Sequence, residues 1–166
     1  MISVRPVEAG EWRSYRDLRL QSLQDSPDAF ASTYESEAGR TDEVWASRLA
    51  GAVSSGQARI FVAFDHQQMC GLVWCKLPEA GVAEIFQMWV DPARRGLGAG
   101  GALLHEALEW AKSVGVRRVC LGVTAADTPA MGLYKASGFR PVGPLEPLRD
   151  GCGLMSQAME LQLGAD

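Results

Sequence analysis

Between Asp91 and Leu108 the chain reads DPARRGLGAGGALLHEAL, and its glycines are spaced for contact with phosphate. Gly98, Gly100 and Gly101 stand where a helix begins. Inside a helix each costs about 1 kcal/mol relative to alanine. Clustering them there makes sense if backbone must come close to an anion, because bare N–H groups and the helix dipole at a helix start both favour phosphate. Two glycine patterns overlap here. Gly96-x-Gly98-x-x-Gly101 is the dinucleotide pattern, and Arg95-x-x-Gly98-x-Gly100 serves a different phosphorylated cofactor. The dinucleotide pattern needs its first glycine directly after a strand and an acid about 20 residues on, near the end of the next strand. DPARR separates Val90 from Gly96, and the nearest candidate acid, Asp127, follows the next strand. The second pattern fits better.

The elements that must position this loop are legible from periodicity. Ile2–Val7 alternates like an opening strand. Glu11–Gln24 is helical, with Trp12, Tyr15, Leu20 and Leu23 near helical spacing, and Pro27 forces its end. Thr41, Asp42 and Glu43 open a second helix carrying Val44, Trp45 and Leu49. Arg59–Phe64 and Cys70–Leu77 form a hairpin, and Val82–Val90 is an apolar strand covered on both faces. After the glycines, Leu104, Leu108 and Ala111 form an apolar stripe flanked by Leu103, Ala107 and Val114. Arg117–Ala125 is a strand. DTPAMGLYKASG is a short helix with Asp127 as N-cap and Pro129 in its first turn. Phe139–Gly143 follows, and Leu154–Leu163 is the last strand.

The 166 residues are 47% hydrophobic and carry a formal net charge of −4, which suits one domain over residues 1–166 and does not resemble a basic nucleic-acid footprint. No apolar run approaches the roughly 20 residues of a membrane span. Charged residues interrupt any early apolar run, so a cytoplasmic chain is expected. Cys70, Cys75, Cys120 and Cys152 lack metal-ligand spacing and read as reduced thiols, so no metal is expected.

VDPARRGLGAGGALL resembles the signature of the GNAT family of acyl-CoA-dependent N-acyltransferases, with Arg95, Gly98 and Gly100 in its named positions. DTPAMGLYKASGF is similar to a second block of that family, with Ala130, Leu133, Tyr134, Gly138 and Phe139 in register. The resemblance implies an α/β (mixed α+β) single-domain fold, with a mixed, mostly antiparallel sheet of six to seven strands and about four helices. It implies acetyl-CoA as co-substrate and a small-molecule or protein amine as acceptor. The family's diphosphate site maps onto backbone from Gly96 through Leu97, Gly98, Ala99 and Gly100 to Gly101, with charge from Arg94 and Arg95. Its pantetheine strand maps onto Met88, Trp89 and Val90. Asp127 stands where the family usually has Asn, and ionised Asp can only accept a hydrogen bond.

Amine attack on a thioester needs a proton acceptor and an acid for the leaving thiolate. Tyr134 is the expected acid, because a phenol near pKa ~10 and a thiol near ~8.5 are close enough for transfer. Glu84, the lone acid in VAEIFQMWV, is the candidate base; the resemblance to the histone-acetyltransferase branch points the same way. Gly122 replaces the glutamate typical of branches that acetylate protein N-termini. His66 and His105 read as solvated surface. Two other readings stay open: an acyl-CoA sensor without chemistry, and, more remotely, a nucleotide-dependent oxidoreductase. Acceptor identity and homodimer formation are left undecided.

Overall fold

A computed structural model describes residues 1–164; residues 165–166 of the expected domain lie outside the described residues. The strands are β1 (Ile2–Pro6), β2 (Ala58–Asp65), β3 (Gln68–Glu79), β4 (Val82–Val90), β5 (Arg118–Thr124), β6 (Arg140–Pro147) and β7 (Met155–Gln162). They join in one sheet of order β1-β2-β3-β4-β5-β7-β6. Only β4 and β5 pair in parallel; the other neighbours are antiparallel. The helices among the described residues are α1 (Trp12–Asp25), α2 (Tyr34–Ala38), α3 (Asp42–Ser54), α4 (Ala99–Ser113) and α5 (Pro129–Ala136). The mixed, mostly antiparallel sheet is as expected, with α2 as an extra turn of helix that apolar periodicity does not reveal. Thr33 caps it and accepts from the Ser36 N–H.

The sheet is covered on both faces, and alternation along β2 shows how. Phe61 and Ala63 face a core built on α4, where Leu103, Leu104, Ala107, Trp110 and Ala111 are buried. Ile60 and Val62 face a second core with Tyr15, Leu18 and Leu23 of α1 and Trp45 and Leu49 of α3. A strand buried on both sides has no polar face to show, so its sequence reads as a continuous apolar run. Gly71 of β3 lies under α4; a Cβ there would meet Leu103 Cδ1 and the Trp89 carbonyl oxygen, each at 3.1 Å.

Some details depart from the periodicity. On α4, Val114 is exposed and Trp110 takes its place in the core. On α1 the buried face is Tyr15, Leu18, Arg19, Ser22 and Leu23, with Trp12 and Leu20 only partly covered. Thr41 caps α3 as expected, accepting from the Val44 N–H at 3.2 Å. The cap of α5 is Thr128, not Asp127. Pro129 is the first helical residue, so the residue beside it takes the cap, and Thr128 Oγ1 accepts from Met131 N–H at 3.2 Å. Among the described residues, no helix is long and apolar enough to cross a membrane.

Candidate functional site

The site begins where two strands part. β4 and β5 pair only from Val82–Ile85 against Arg118–Leu121. Beyond that point β4 carries a bulge. Leu72 pairs with Trp89 and Trp74 with Phe86, which leaves Val73 opposite both Gln87 and Met88. Gln87 takes a φ of 61°, a left-handed conformation that costs a non-glycine residue roughly 1–3 kcal/mol. Tyr15 holds it there, its hydroxyl donating to Gln87 Oε1 at 2.5 Å. A polar residue inside IFQMW is the one sequence signal of this kink.

Past the bulge, the direction of the main chain can be followed. The Asp91 N–H donates to the Cys70 carbonyl of β3 at 2.7 Å. Main-chain groups alternate sides along a strand, so Trp89 also faces β3, while Met88 and Val90 present theirs to the gap. Trp89 therefore differs from its neighbours in the expected set. It is buried, and its indole N–H reaches Asp25 Oδ2 at 3.2 Å and Ser26 Oγ at 3.3 Å.

The gap opens into a cleft of about 1240 Å³. Its floor at one end is the start of α4. Gly96 and Gly98 both adopt φ of 85°, where a Cβ would be strained, and Gly98 is the N-cap without a side chain to offer. Ala102 N–H donates to the Gly98 carbonyl, but the amides of Ala99, Gly100 and Gly101 have no hydrogen-bond partner among the described residues. Three bare donors at the positive end of a 15-residue helix form an anion cradle. Gly96, Gly98, Ala99, Gly100 and Gly101 all line the cleft. Leu97 does not; it is exposed on the outside of the loop.

The two arginines before this loop separate. Arg95 lines the cleft, donating from Nε to the Val90 carbonyl at 3.0 Å and lying 3.5 Å from Asp25. Arg94 turns to the β2–β3 hairpin, donating to Gln68 Oε1 at 2.7 Å and pairing with Asp65 and Asp91. Its charge is committed there.

Tyr134 enters the cleft from α5. It is 5% exposed, its ring lies edge-on to Phe139 at 5.7 Å, and its hydroxyl has no hydrogen-bond partner among the described residues. Burial pushes the phenol well above its ordinary pKa, so it holds its proton at neutral pH. Asp127 is exposed and faces a separate depression with Met131 and Lys135, whereas Thr128 lines the cleft.

Glu84 lies outside the cleft lining. It is half-buried, paired in register with Lys76 of β3 and Cys120 of β5. It shares a sheet face with Phe86 and stands four positions before Met88, about 13 Å along a regular strand and less across the Gln87 bulge. His66 and His105 are exposed, His66 in the β2–β3 turn.

The other half of the cleft was only faintly legible. It is lined by Arg19, Glu37, Arg40, Arg48, Trp74, Lys76, Phe86 and Gln87, from α1, the α2–α3 region and the central strands. Arg19 and Glu37 form a buried pair at 3.0 and 2.9 Å. Burial alone would raise the Glu37 pKa, but the Arg19 hydrogen bonds and charge, with Arg40, outweigh it and hold the carboxyl below its ordinary range. The signal in sequence was a charged residue on the apolar face of α1. The segment closing the cleft is tied down: Thr124 Oγ1 donates to the Asp28 carbonyl at 2.5 Å, and Arg149 to the carbonyls of Pro27 and Phe30 at 3.2 and 2.8 Å.

Comparison with known proteins gives the family and the fold. The family model described as Acetyltransferase (GNAT) family matches residues 16–139. A mycothiol acetyltransferase of Thermomonospora curvata is 27% identical over 139 residues, covering 83% of this chain and 44% of the relative. The chain spans less than half the length of the curated relatives it matches. Its fold is that of the acetyltransferase of GNAT family from Streptococcus pneumoniae, with a TM-score of 0.83 at 23% identity, covering 99% of this chain and 100% of that one. It is also that of spermidine N-acetyltransferase from Vibrio cholerae in complex with CoA and spermine, with a TM-score of 0.78 at 20% identity, covering 97% and 95%.

Proposed function

The chain belongs to the GNAT acetyltransferase family, and from that premise we propose that it moves an acetyl group from acetyl-CoA to a primary amine by direct attack in a ternary complex. One observation carries the proposal. The bare amides of Ala99, Gly100 and Gly101, the main-chain groups of Met88 and Val90 and the Tyr134 ring all belong to one cleft, opened where β4 leaves β5. A diphosphate suits the amides at the α4 start, with Arg95 adding charge. An extended pantetheine suits the β4 side of the gap, since unpaired strand groups accept an added strand-like partner.

The residues then divide the chemistry. Main-chain N–H at Met88 or Val90 polarises the thioester carbonyl as negative charge develops on its oxygen. The neutral amine attacks from the half of the cleft lined by Trp74, Phe86 and Gln87. Tyr134 gives its proton to the departing thiolate. Burial raises the phenol pKa, which keeps the proton on Tyr134 until the thiolate develops beside it. Glu84 serves as a remote proton acceptor through water rather than as a base in contact with the amine.

Relatives and structural neighbours carry different acceptors in their names, mycothiol in one and spermidine in another, so the amine is sought experimentally. Purified protein is mixed with acetyl-CoA and a panel of amines, and free thiol is followed. Acceptor-dependent thiol release supports the proposal. Stabilisation by acetyl-CoA without release for any amine would mark the chain as a sensor instead.

A further inference from the structure

The acceptor half of the cleft is rich in positive charge on a protein whose net charge is −4. Arg19, Arg40, Arg48 and Lys76 line it. Glu37 is the acid packed among them, and it is already engaged: both of its oxygens take Arg19, and Arg40 lies 3.5 Å from one of them. Arg48 and Lys76 have no acidic partner within ion-pair distance among the described residues. Lys76 instead rests over the rings of Trp74 and Phe86, at 4.7 and 5.2 Å. Of the other acids in the cleft, Asp25 faces Arg95 and Trp89, Asp28 lies at the segment tied to Thr124, and Glu146 is exposed at the far end of β6.

A second observation points the same way. Two buried polar atoms in this wall have no hydrogen-bond partner among the described residues: Arg19 Nη1 and Trp74 Nε1. Both are donors. Buried donors are nearly always satisfied, so an unpaired pair in one wall calls for an acceptor atom from elsewhere. Apart from Glu84, which stands opposite Lys76 in the β3–β4 register, the unspent groups of this wall are donors and cations, and what would complete them is anionic oxygen.

We propose that the acceptor is a small amine that also carries a carboxylate, with the carboxylate bound between Arg48 and Lys76 and backed by the Arg19–Trp74 wall. This inference rests on the acetyltransferase reading and narrows it. Guanidinium and carboxylate match in a planar, two-bond geometry. A polyamine or a lysine side chain would bring a second positive charge into a region that already holds an excess of it. An α-amino acid or a close relative brings the opposite charge and still offers its amine to the thioester.

The test uses α-amino acids, each paired with its decarboxylated amine, with thiol release as readout and acetyl-CoA binding measured calorimetrically on the same preparation. The carboxylate member of a pair is expected to show kcat/KM roughly ten- to a hundredfold higher, the ratio that one to two charge-assisted hydrogen bonds supply. Arg48→Gln and Lys76→Gln are both changes at exposed side chains that spare the core. Each is expected to raise KM for the amino acid about tenfold while kcat changes little, shrinking the ratio within the pair. Equal or better use of the decarboxylated amines by protein that binds acetyl-CoA overturns this inference and leaves the acetyltransferase reading standing. So does failure of every carboxylate-bearing amine while acetyl-CoA binds. Absence of acetyl-CoA binding removes both.

Discussion

Arg95 reaches across the mouth of the cleft and donates from Nε to the main-chain oxygen of Val90 at 3.0 Å. That oxygen faces the gap between β4 and β5, where an extended ligand would seek a partner. The same guanidinium lies 3.5 Å from Asp25. Arg95 thus satisfies in the free protein the groups that the ligand-bound protein uses otherwise. On cofactor binding it is expected to leave Val90 for phosphate. Arg95→Gln should weaken acetyl-CoA binding about tenfold, the loss of one charge-assisted hydrogen bond. It should also flatten the salt dependence of the dissociation constant. Calorimetry at low and high salt reads both.

Tyr134→Phe removes the proton donor and keeps the ring against Phe139. Turnover should fall by about 10²–10³, within the range of general acid catalysis, with acetyl-CoA affinity nearly unchanged. The pH profile carries a sign. Because burial raises the phenol pKa, Tyr134 stays protonated through neutral and moderately alkaline pH. The wild-type rate should therefore climb with amine deprotonation and show no descending limb below about pH 10, the ordinary phenol value. A descending limb near pH 8 would remove Tyr134 from this role.

Glu84→Gln separates a remote acceptor from a base in contact with the amine. A base in contact is worth about 10²–10⁴ in rate. From the strand distance between Glu84 and Met88, the expected loss in kcat is below tenfold, a rough bound set under that range. A loss of a thousandfold would return Glu84 to direct catalysis.

The Arg19–Glu37 pair joins α1 to α2 inside the cleft wall, with side chains 4% and 3% exposed. Glu37→Ala leaves a buried guanidinium without its partner and should cost about 3–5 kcal/mol in urea unfolding. The folded-state pKa of Glu37 lies below its ordinary value of 4.5. Its contribution is therefore complete above that pH and is lost as pH falls through the folded pKa. Stability of the wild type should drop below about pH 4.5 more steeply than that of Glu37→Gln, which has no proton to gain there.

The sequence made the cofactor half of this site legible and left the acceptor half faint, for a physical reason. Gly96 and Gly98 sit at backbone angles that only glycine takes easily, so their spacing marked the loop, whereas Tyr134 was reached through the resemblance of its helix to a family block. The sheet was readable because the middles of β2 and β3 are buried on both faces and run apolar; β4, expected to be covered on both faces, is buried on one, with Phe86 exposed on the other beside the cleft. The Gln87 bulge was hidden, since one polar residue in a strand does not say that the backbone kinks there. Arg19, Glu37, Arg48 and Lys76 come from three helices and a strand and meet only through tertiary packing. Arg94 and Arg95 look alike in sequence, and only the placement of Gln68 and Asp65 sends one of them away from the cleft. Asp127 lost its cap to Thr128 by a single residue, within the usual uncertainty of helix ends.

The central claim is that main-chain amides at the start of α4 hold the diphosphate of acetyl-CoA. The most direct measurement is calorimetric titration of ligand-free protein with acetyl-CoA and, in parallel, with acetyl-pantetheine, which has the same thioester arm and no diphosphate. Acetyl-CoA is expected to bind at micromolar levels, and acetyl-pantetheine more than about a hundredfold more weakly, the loss of two charged hydrogen bonds. Gly98→Ala, which forces a Cβ into a backbone φ of 85°, should bring acetyl-CoA down towards the weaker ligand. Equal affinity for the two ligands, or no binding of acetyl-CoA at millimolar concentration by folded protein, would contradict the claim.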